Sequence, residues 1–209
     1  MDKKKIDAFW TARTRIEDPR IATNFREDGR LSYDVNFVRR HLAPGAKILD
    51  LGAGTCTLAL ELLDCAKEVV AVERYAEFLA KVPDHPRLEK VCCNVTDFAP
   101  EEMFDIVLMF GVVNYLTSDE ERNIYEMCHS VMGRNGVLLV KNQCGLREEL
   151  IVDHYSTELK ENYYARYPAI DNQKSLLSRL FDVEVIDIYP LELNRWPDTH
   201  FFAFVCRPS

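Results

Sequence analysis

The sequence of 209 residues contains no apolar run of membrane-spanning length. Its longest apolar runs, such as Ile106–Phe110 and Val137–Val140, fall far short of the ~20 residues that a membrane helix needs. No apolar stretch follows the opening Met-Asp-Lys-Lys-Lys, so we expect neither a membrane span nor a secretory signal. The expected compartment is therefore the cytoplasm, and the length favours a single domain.

Cysteine patterns that bind metal or form a disulfide framework are also missing. The seven cysteines include no Cys-x-x-Cys pair, and their odd number is typical of a reducing compartment. Histidine and cysteine never cluster at the spacing of zinc ligands, so we predict no metal site. The adjacent Cys92 and Cys93 are expected to be small core residues of a strand.

Basic charge is in excess only near the N-terminus. The net charge of -8 divides into +4 over residues 1–47 and -12 over the remainder. Such an acidic body disfavours nucleic-acid partners, because their binding depends on neutralising phosphates. The basic stretch suits either the steering of a small anionic substrate or a solvated terminal helix. Its candidate anion-binding residues are Arg13, Arg15, Arg20, Arg26 and Arg30.

Strand and helix patterns alternate between residues 47 and 141. The predicted strands are 47–51, 68–73, 88–93, 104–110 and 137–141. The predicted helices are 57–65, 76–82 and 118–131, the last ended by Gly133, and two earlier ones at 6–16 and 32–42. Alternation of this kind is typical of crossover units and a parallel sheet.

The last third of the chain follows a different pattern. Residues 144–170 are polar and tyrosine-rich, and a helix is predicted at 172–180. Two strands follow, 183–189 and 200–207, joined by a connection too short for a crossover helix. They should therefore be antiparallel.

A glycine-rich turn follows the first predicted strand. Gly52 and Gly54 lie between that strand and a helix, and Glu73 ends the next strand nineteen positions after Gly54. This arrangement predicts a site for an adenosine-type cofactor. Asp50, next to the turn, would repel a pyrophosphate and suits a ligand with ammonium and sulfonium charges, and Thr57 replaces the third glycine of the dinucleotide pattern. Both features favour S-adenosylmethionine over a nicotinamide dinucleotide.

The order of motifs resembles the class I S-adenosylmethionine-dependent methyltransferases over roughly residues 46–142. The matching segments are 50–54, 70–73, 94–97, 104–107 and 133–138. The resemblance implies an α/β, Rossmann-like three-layer sandwich with a seven-stranded, mostly parallel sheet whose last strand is antiparallel. Residues 1–209 would form one methyltransferase domain, with an N-terminal helical cap (1–45), a cofactor-binding core (46–142), and a substrate-side insertion with the antiparallel strand pair (143–209).

The same resemblance implies roles for individual residues. Asp50 would anchor the amino group of the cofactor, Glu73 would bridge the ribose hydroxyls, and Asn94, which takes a place often held by Asp, would accept from the adenine amino group. Gly52 and Gly54 would contact the methionine part and the ribose. The full set of cofactor candidates is Asp50, Gly52, Ala53, Gly54, Glu73, Arg74, Asn94, Val95 and Phe110.

Ligands of open parallel sheets bind outside the carboxyl ends of the strands, which points to the segments over the methyl group. His200, oriented by Asp198, is the first candidate for a base, and His154 is the second. The catalytic candidates are His200, His154, Asn114 and Tyr115. The substrate candidates are Asn142, Tyr155, Arg195 and Trp196.

The sequence thus predicts a methyltransferase that acts on O or N of a small polar acceptor. A basic cap suits an anionic one, such as a sugar, a sugar nucleotide or a glycan terminus. Two alternatives stay open: a nicotinamide oxidoreductase, and a non-catalytic subunit that only binds the cofactor. A monomer or a homodimer is expected, without nucleic-acid partners.

Overall fold

The computed structural model describes residues 1–23, 29–157 and 159–209. Arg26, one of the predicted anion-binding arginines, lies outside the described residues. In the described part of the chain no helix is long and apolar enough to cross a membrane.

A seven-stranded sheet forms the centre of the fold, in the order β3-β2-β1-β4-β5-β9-β8. Its strands are β1 (Lys47–Leu51), β2 (Glu68–Glu73), β3 (Leu88–Cys92), β4 (Phe104–Phe110), β5 (Met132–Gly145), β8 (Phe181–Asp187) and β9 (Thr199–Pro208). The first five pair in parallel, and β9 runs antiparallel to both β5 and β8. The predicted seven-stranded sheet with an antiparallel last strand is therefore confirmed.

Helices cover both faces of this sheet. They are α1 (Lys3–Arg13), α2 (Pro19–Thr23), α3 (Arg30–Arg39), α4 (Thr57–Leu62), α5 (Ala76–Leu79), α6 (Ser118–Ser130) and α7 (Ile170–Leu177). Alternate strand residues feed two apolar cores: Ile48 packs with α3 and α4 on one face, whereas Leu49 and Leu51 pack with α6 and α7 on the other. The period-two pattern of buried residues therefore builds a three-layer sandwich.

The segment between β5 and α7 forms a β-hairpin, which the sequence pattern did not predict. Strands β6 (Leu150–Ser156) and β7 (Glu161–Tyr167) pair with each other outside the main sheet. The hairpin packs against α1, so that Phe9 of α1 and Tyr163 of β7 have ring centroids 5.2 Å apart. Tyrosine favours β-strands, and this segment is rich in tyrosine. The sequence analysis treated the segment as polar and so missed that signal.

Local details of the fold agree with the sequence prediction at the start of α6 and differ from it at two other places. Helix α6 begins at Ser118 as predicted, directly after Thr117, whose side chain forms a capping box with that of Glu120. Gly133 does not end that helix, because it already belongs to β5, which starts at Met132 to pair with Phe104. Cys92 is exposed rather than a core residue, since it lies at the end of β3, the edge strand of the sheet.

Candidate functional site

A cavity of about 1290 Å³ opens at the carboxyl ends of β1, β2, β4 and β5. The N-terminal helices, the β6–β7 hairpin and residues 195–199 close its other sides. The cofactor residues predicted from the sequence all line this cavity. They are Asp50, Gly52, Ala53, Gly54, Glu73, Arg74, Asn94, Val95 and Phe110. The structure therefore brings all nine of them to one cavity.

The backbone amides of the glycine turn are all engaged inside the protein. The N–H groups of Gly52 and Ala53 both donate to the carbonyl oxygen of Val72, at 2.8 and 3.0 Å. The N–H of Gly54 donates to Oε2 of Glu73 at 3.0 Å. A pyrophosphate needs amides of this kind as donors, so the turn offers it none of these three.

Two buried carboxylates stand beside the turn. Burial, and to a lesser degree the charge of Glu73, raises the pKa of Asp50 to about 7. Burial also raises the pKa of Glu73, although the backbone N–H groups of Tyr75 and Gly54 both donate to its carboxylate. Burial is the main cause of both shifts, and two desolvated carboxylates side by side favour a ligand that brings positive charge.

Farther along the cavity lie Arg74, Val95 and Asn94, three of the cofactor candidates from the sequence. Arg74 stacks over Tyr75 at 4.6 Å and pairs with Asp7 of α1 at 2.7 Å. Val95 is buried among apolar neighbours and also lines the cavity. The Asn94 side-chain oxygen already accepts from the Thr96 N–H at 3.3 Å, so the adenine contact predicted for that oxygen would have to share it.

The N-terminal cap lies directly on the glycine turn. Thr55 Oγ1 donates to the Pro19 carbonyl at 2.7 Å and lies 2.9 Å from Thr23 Oγ1. Gly54 adopts a left-handed conformation, with φ of +57°, and a β-carbon there would lie 2.6 Å from Thr23 Cγ2. Glycine at this position is thus required both by the backbone conformation and by the packing of α2.

Two of the four catalytic candidates, the buried Asn114 and the half-buried Tyr115, lie in the helical turn that follows β4. Asn114 Nδ2 donates to the carbonyl oxygens of Gln143 and Arg166, at 3.0 and 2.8 Å, and so ties β5 to the hairpin. The Tyr115 hydroxyl lies 3.3 Å from that of Tyr163, and its ring packs edge-on against Trp10. Burial raises the pKa of Tyr115 far above its usual value, which keeps the phenol protonated.

The two histidines have different surroundings. His154 lines the cavity from the hairpin, in an exposed position. His200 does not line it: Thr199 and Phe201 point to the cavity, and the alternation of β9 turns His200 to the opposite face. There its Nδ1 lies 3.4 Å from Asp187, not Asp198 as predicted. The structure therefore separates the first candidate base from the cofactor residues.

The substrate candidates are also divided by strand alternation. Arg195 and Trp196 line the cavity, with the guanidinium 4.4 Å from the indole centroid. Tyr155 lies on the outer face of the hairpin and does not reach the cavity. Asn142 borders the cavity, but its side chain forms a reciprocal amide pair with Gln173, at 2.8 and 2.9 Å, and serves the core.

One cluster in the cavity was missed by the sequence analysis as a site. Asp34 of α3, Lys141 at the end of β5 and Tyr189 after β8 contact one another and line the cavity. Lys141 lies 107 positions after Asp34 and Tyr189 lies 155 positions after it, so no local spacing in the sequence relates the three residues. The one sequence signal for this cluster was Asp34 itself, a carboxylate in α3 next to the core residues Val35, Phe37 and Val38.

Comparisons with known proteins agree with the predicted methyltransferase fold. The family model "Methyltransferase domain" matches residues 48–136. An N-terminal Xaa-Pro-Lys N-methyltransferase 1-B of Xenopus laevis is 28% identical over 126 residues, which cover 54% of this chain and 56% of that protein. The match thus spans little more than half the length of this curated relative.

Solved methyltransferase structures share the whole architecture at low sequence identity. The DhpI-SAM-HEP complex has a TM-score of 0.72 and 17% identity, and the match covers 98% of this chain and 97% of that one. The N-methyltransferase NodS of Bradyrhizobium japonicum, in complex with S-adenosylhomocysteine, has a TM-score of 0.72 and 12% identity, and the match covers 99% of both chains. The glycopeptide N-methyltransferase MtfA with sinefungin has a TM-score of 0.69 and 19% identity over 88% of this chain and 96% of that one. The methyltransferase family model thus matches residues 48–136, and the chain has the fold of these solved methyltransferase structures.

Proposed function

We propose that this chain transfers a methyl group from S-adenosylmethionine to a nitrogen or oxygen of a small polar acceptor. The observation that carries the proposal is the glycine turn, whose three amides are engaged internally beside two buried carboxylates. Such a turn repels phosphates and suits the ammonium of a methionine moiety. This argues against the nicotinamide alternative on the chain's own geometry.

Within this site each residue has a distinct task. Asp50 would pair with the cofactor's ammonium, and Glu73 would accept hydrogen bonds from the ribose while holding Gly54 and Tyr75 in place. The bound sulfonium supplies an activated methyl group. The protein contributes the alignment of nucleophile, methyl and sulfur, which in favourable cases is worth about 7–11 kcal/mol.

Two observations support the choice of acceptor. Three of the similar proteins are N-methyltransferases by their names, which supports nitrogen rather than oxygen as the atom methylated. Arg30 and Arg195 line the cavity, which supports an acceptor carrying an anionic group away from its reacting atom. Sugars, sugar nucleotides and glycan ends stay within this class.

Titration calorimetry with S-adenosylhomocysteine, with NAD as the control, tests the cofactor. Saturable binding of the first and none of the second is expected, whereas binding of NAD alone would contradict the proposal. Transfer of a labelled methyl group to a panel of small acceptors then separates an enzyme from a non-catalytic binding subunit. Cofactor binding without transfer to any acceptor would favour the subunit.

A further inference from the structure

A buried, charged cluster of Asp34, Lys141 and Tyr189 lines the cavity and includes none of the predicted cofactor residues. Lys141 Nζ donates to Asp34 Oδ2 and, at 2.8 Å, to the Tyr189 hydroxyl. The Tyr189 hydroxyl in turn donates to Asp34 Oδ1 at 2.7 Å. The side chains of Lys141 and Asp34 are only 13% and 11% exposed, so this ion pair is shielded from bulk water.

The cluster lies next to the place where the reacting methyl group would be. Lys141 pairs in register with Phe110, the last residue of β4, and its ammonium lies 4.8 Å from the Phe110 ring centroid. The chain continues from Phe110 through Gly111 to Val112, whose side chain packs against Gly52 of the glycine turn. Strand β5, which carries Lys141, therefore lies one strand spacing, about 4.8 Å, from β4, whose end leads to the glycine turn.

Its geometry suits a carboxylate that takes up a proton. Each Asp34 oxygen accepts one hydrogen bond within the cluster and has a second lone pair for another donor. The Lys141 ammonium and the Tyr189 hydroxyl donate to different oxygens of Asp34 and so fix the orientation of its carboxylate. Because the three residues come from α3, the end of β5 and the segment after β8, the carboxylate is held from three directions.

We propose that Asp34 accepts the proton of the methyl acceptor, with Lys141 and Tyr189 as positioning residues; this inference rests on the proposed methyl transfer. The acceptor's N or O uses its lone pair to form a bond to the methyl carbon. The carbon–sulfur bond breaks, and its electron pair stays on sulfur, which becomes a neutral thioether. The proton of the acceptor passes to Asp34 and from there to water.

The proposal defines a class of acceptor. A hydroxyl or an amine carries a proton and can donate it to Asp34. A carboxylate or phosphate oxygen carries none as nucleophile, and Asp34 would repel it. The reacting group is therefore a hydroxyl or amine, even where the remainder of the acceptor is anionic.

The test combines labelled methyl transfer with S-adenosylhomocysteine titration. The panel pairs alcohols and primary amines, such as a hexose and an aminosugar, with acetate and methylphosphonate. Asp34→Asn should lower kcat for an alcohol or amine by about 10²–10⁴-fold, the range of general base catalysis, with cofactor Kd nearly unchanged. Lys141→Met should lower kcat more than it raises KM, and Lys141→Arg, which keeps the charge, should restore part of the rate.

Asp64→Asn is the matched control. It breaks the exposed ion pair of Asp64 with Arg39, which also ties α3 to its neighbour but lies on the surface. This variant should keep full activity. Normal turnover by Asp34→Asn, or methylation of acetate or methylphosphonate alone, would overturn the inference. Failure of the wild type to bind S-adenosylhomocysteine would instead overturn the proposed function itself.

A second measurement needs no acceptor. With S-adenosylhomocysteine bound, carbodiimide and glycinamide should label Asp34 if its carboxylate is reachable from the cavity, as peptide mass spectrometry would detect. Labelling of Asp34 would support the proposal when no compound of the panel is methylated. Labelling of the exposed Asp64 but not of Asp34 would overturn it.

Discussion

The backbone N–H of Gly54 donates a 3.0 Å hydrogen bond to Oε2 of Glu73, the residue that ends the neighbouring strand. The other oxygen of the same carboxylate accepts from the N–H of Tyr75 at 2.9 Å. One side chain thus shapes the glycine turn and the start of α5 together.

Glu73→Gln replaces one acceptor oxygen with a donor that faces a backbone N–H. We expect it to weaken S-adenosylhomocysteine binding by at least about tenfold, or 1.4 kcal/mol, in calorimetry. Unchanged affinity would contradict this assignment.

The pH dependence of cofactor binding should follow Asp50. Its pKa of about 7 in the ligand-free protein lies above its ordinary value of 3.8. The ammonium group of S-adenosylhomocysteine prefers the ionised form of Asp50, so the affinity should rise about tenfold between pH 6 and pH 8. Calorimetry at the two pH values measures this. Asp50→Asn should bind weakly at both, and an equal slope in that variant would exclude Asp50 as the cause.

The raised pKa of Asp50 also predicts how the stability of the ligand-free protein changes with pH. The folded state binds a proton on Asp50 more tightly than the unfolded chain does, so the free energy of unfolding should fall as pH rises from about 4 to about 7. Denaturant unfolding across that range, compared with Asp50→Asn, isolates the contribution. A variant with the same pH slope as the wild type would show that other groups cause it.

Gly54→Ala should disrupt the contact between the glycine turn and the N-terminal cap. The new methyl group would meet Thr23 Cγ2, and φ of +57° adds a backbone cost of about 1–2 kcal/mol. Gly45→Ala is the control, because φ is +76° there but no atom lies within 4 Å. Thermal unfolding should show a larger loss for Gly54→Ala. Adding Thr23→Ser, which removes only the colliding methyl, should recover the difference; no recovery would mean that the strain acts alone.

The hairpin depends on a buried ion pair between Arg166 and Glu121. Arg166 Nη2 contacts Glu121 Oε2 at 2.5 Å, and Tyr125 also donates to that carboxylate. Arg166→Met leaves the carboxylate buried without its cation, so we expect a loss of about 3–5 kcal/mol in denaturant unfolding. Arg122→Met, which breaks an exposed pair on the same helix, should cost no more than about 1 kcal/mol. Equal losses would show that burial of the pair is energetically unimportant.

His200→Ala is expected to leave methyl transfer within about twofold of the wild type, because its side chain lies on the far face of β9. Steady-state kinetics with an acceptor from the panel measures this directly. A large drop in kcat with normal cofactor affinity would restore His200 as a base and contradict its placement.

All of the residues that the sequence analysis assigned to the cofactor line one cavity, whereas His200 and Tyr155, assigned to catalysis and to the substrate, do not. Asp50 and Glu73 belong to two adjacent parallel strands and Gly54 follows the first of them, so their places follow from local patterns and one crossover. His200 failed because a one-residue difference in strand register moves a side chain to the other face. The contact of Asp34 with Tyr189 depends on the packing of α3 across the whole sheet, which no local pattern encodes.

The N-terminal helices contact the glycine turn and also the residues that follow β4. Thr23 of α2 lies against Thr55 beside the glycine turn, and Trp10 of α1 packs on Tyr115. Arg13 joins the two helices by donating to the carbonyls of Ile21 and Ala22. In the proposed reaction, a displacement of the first 23 residues would therefore act on both contacts together, and it would couple the release of the thioether to the release of the methylated compound.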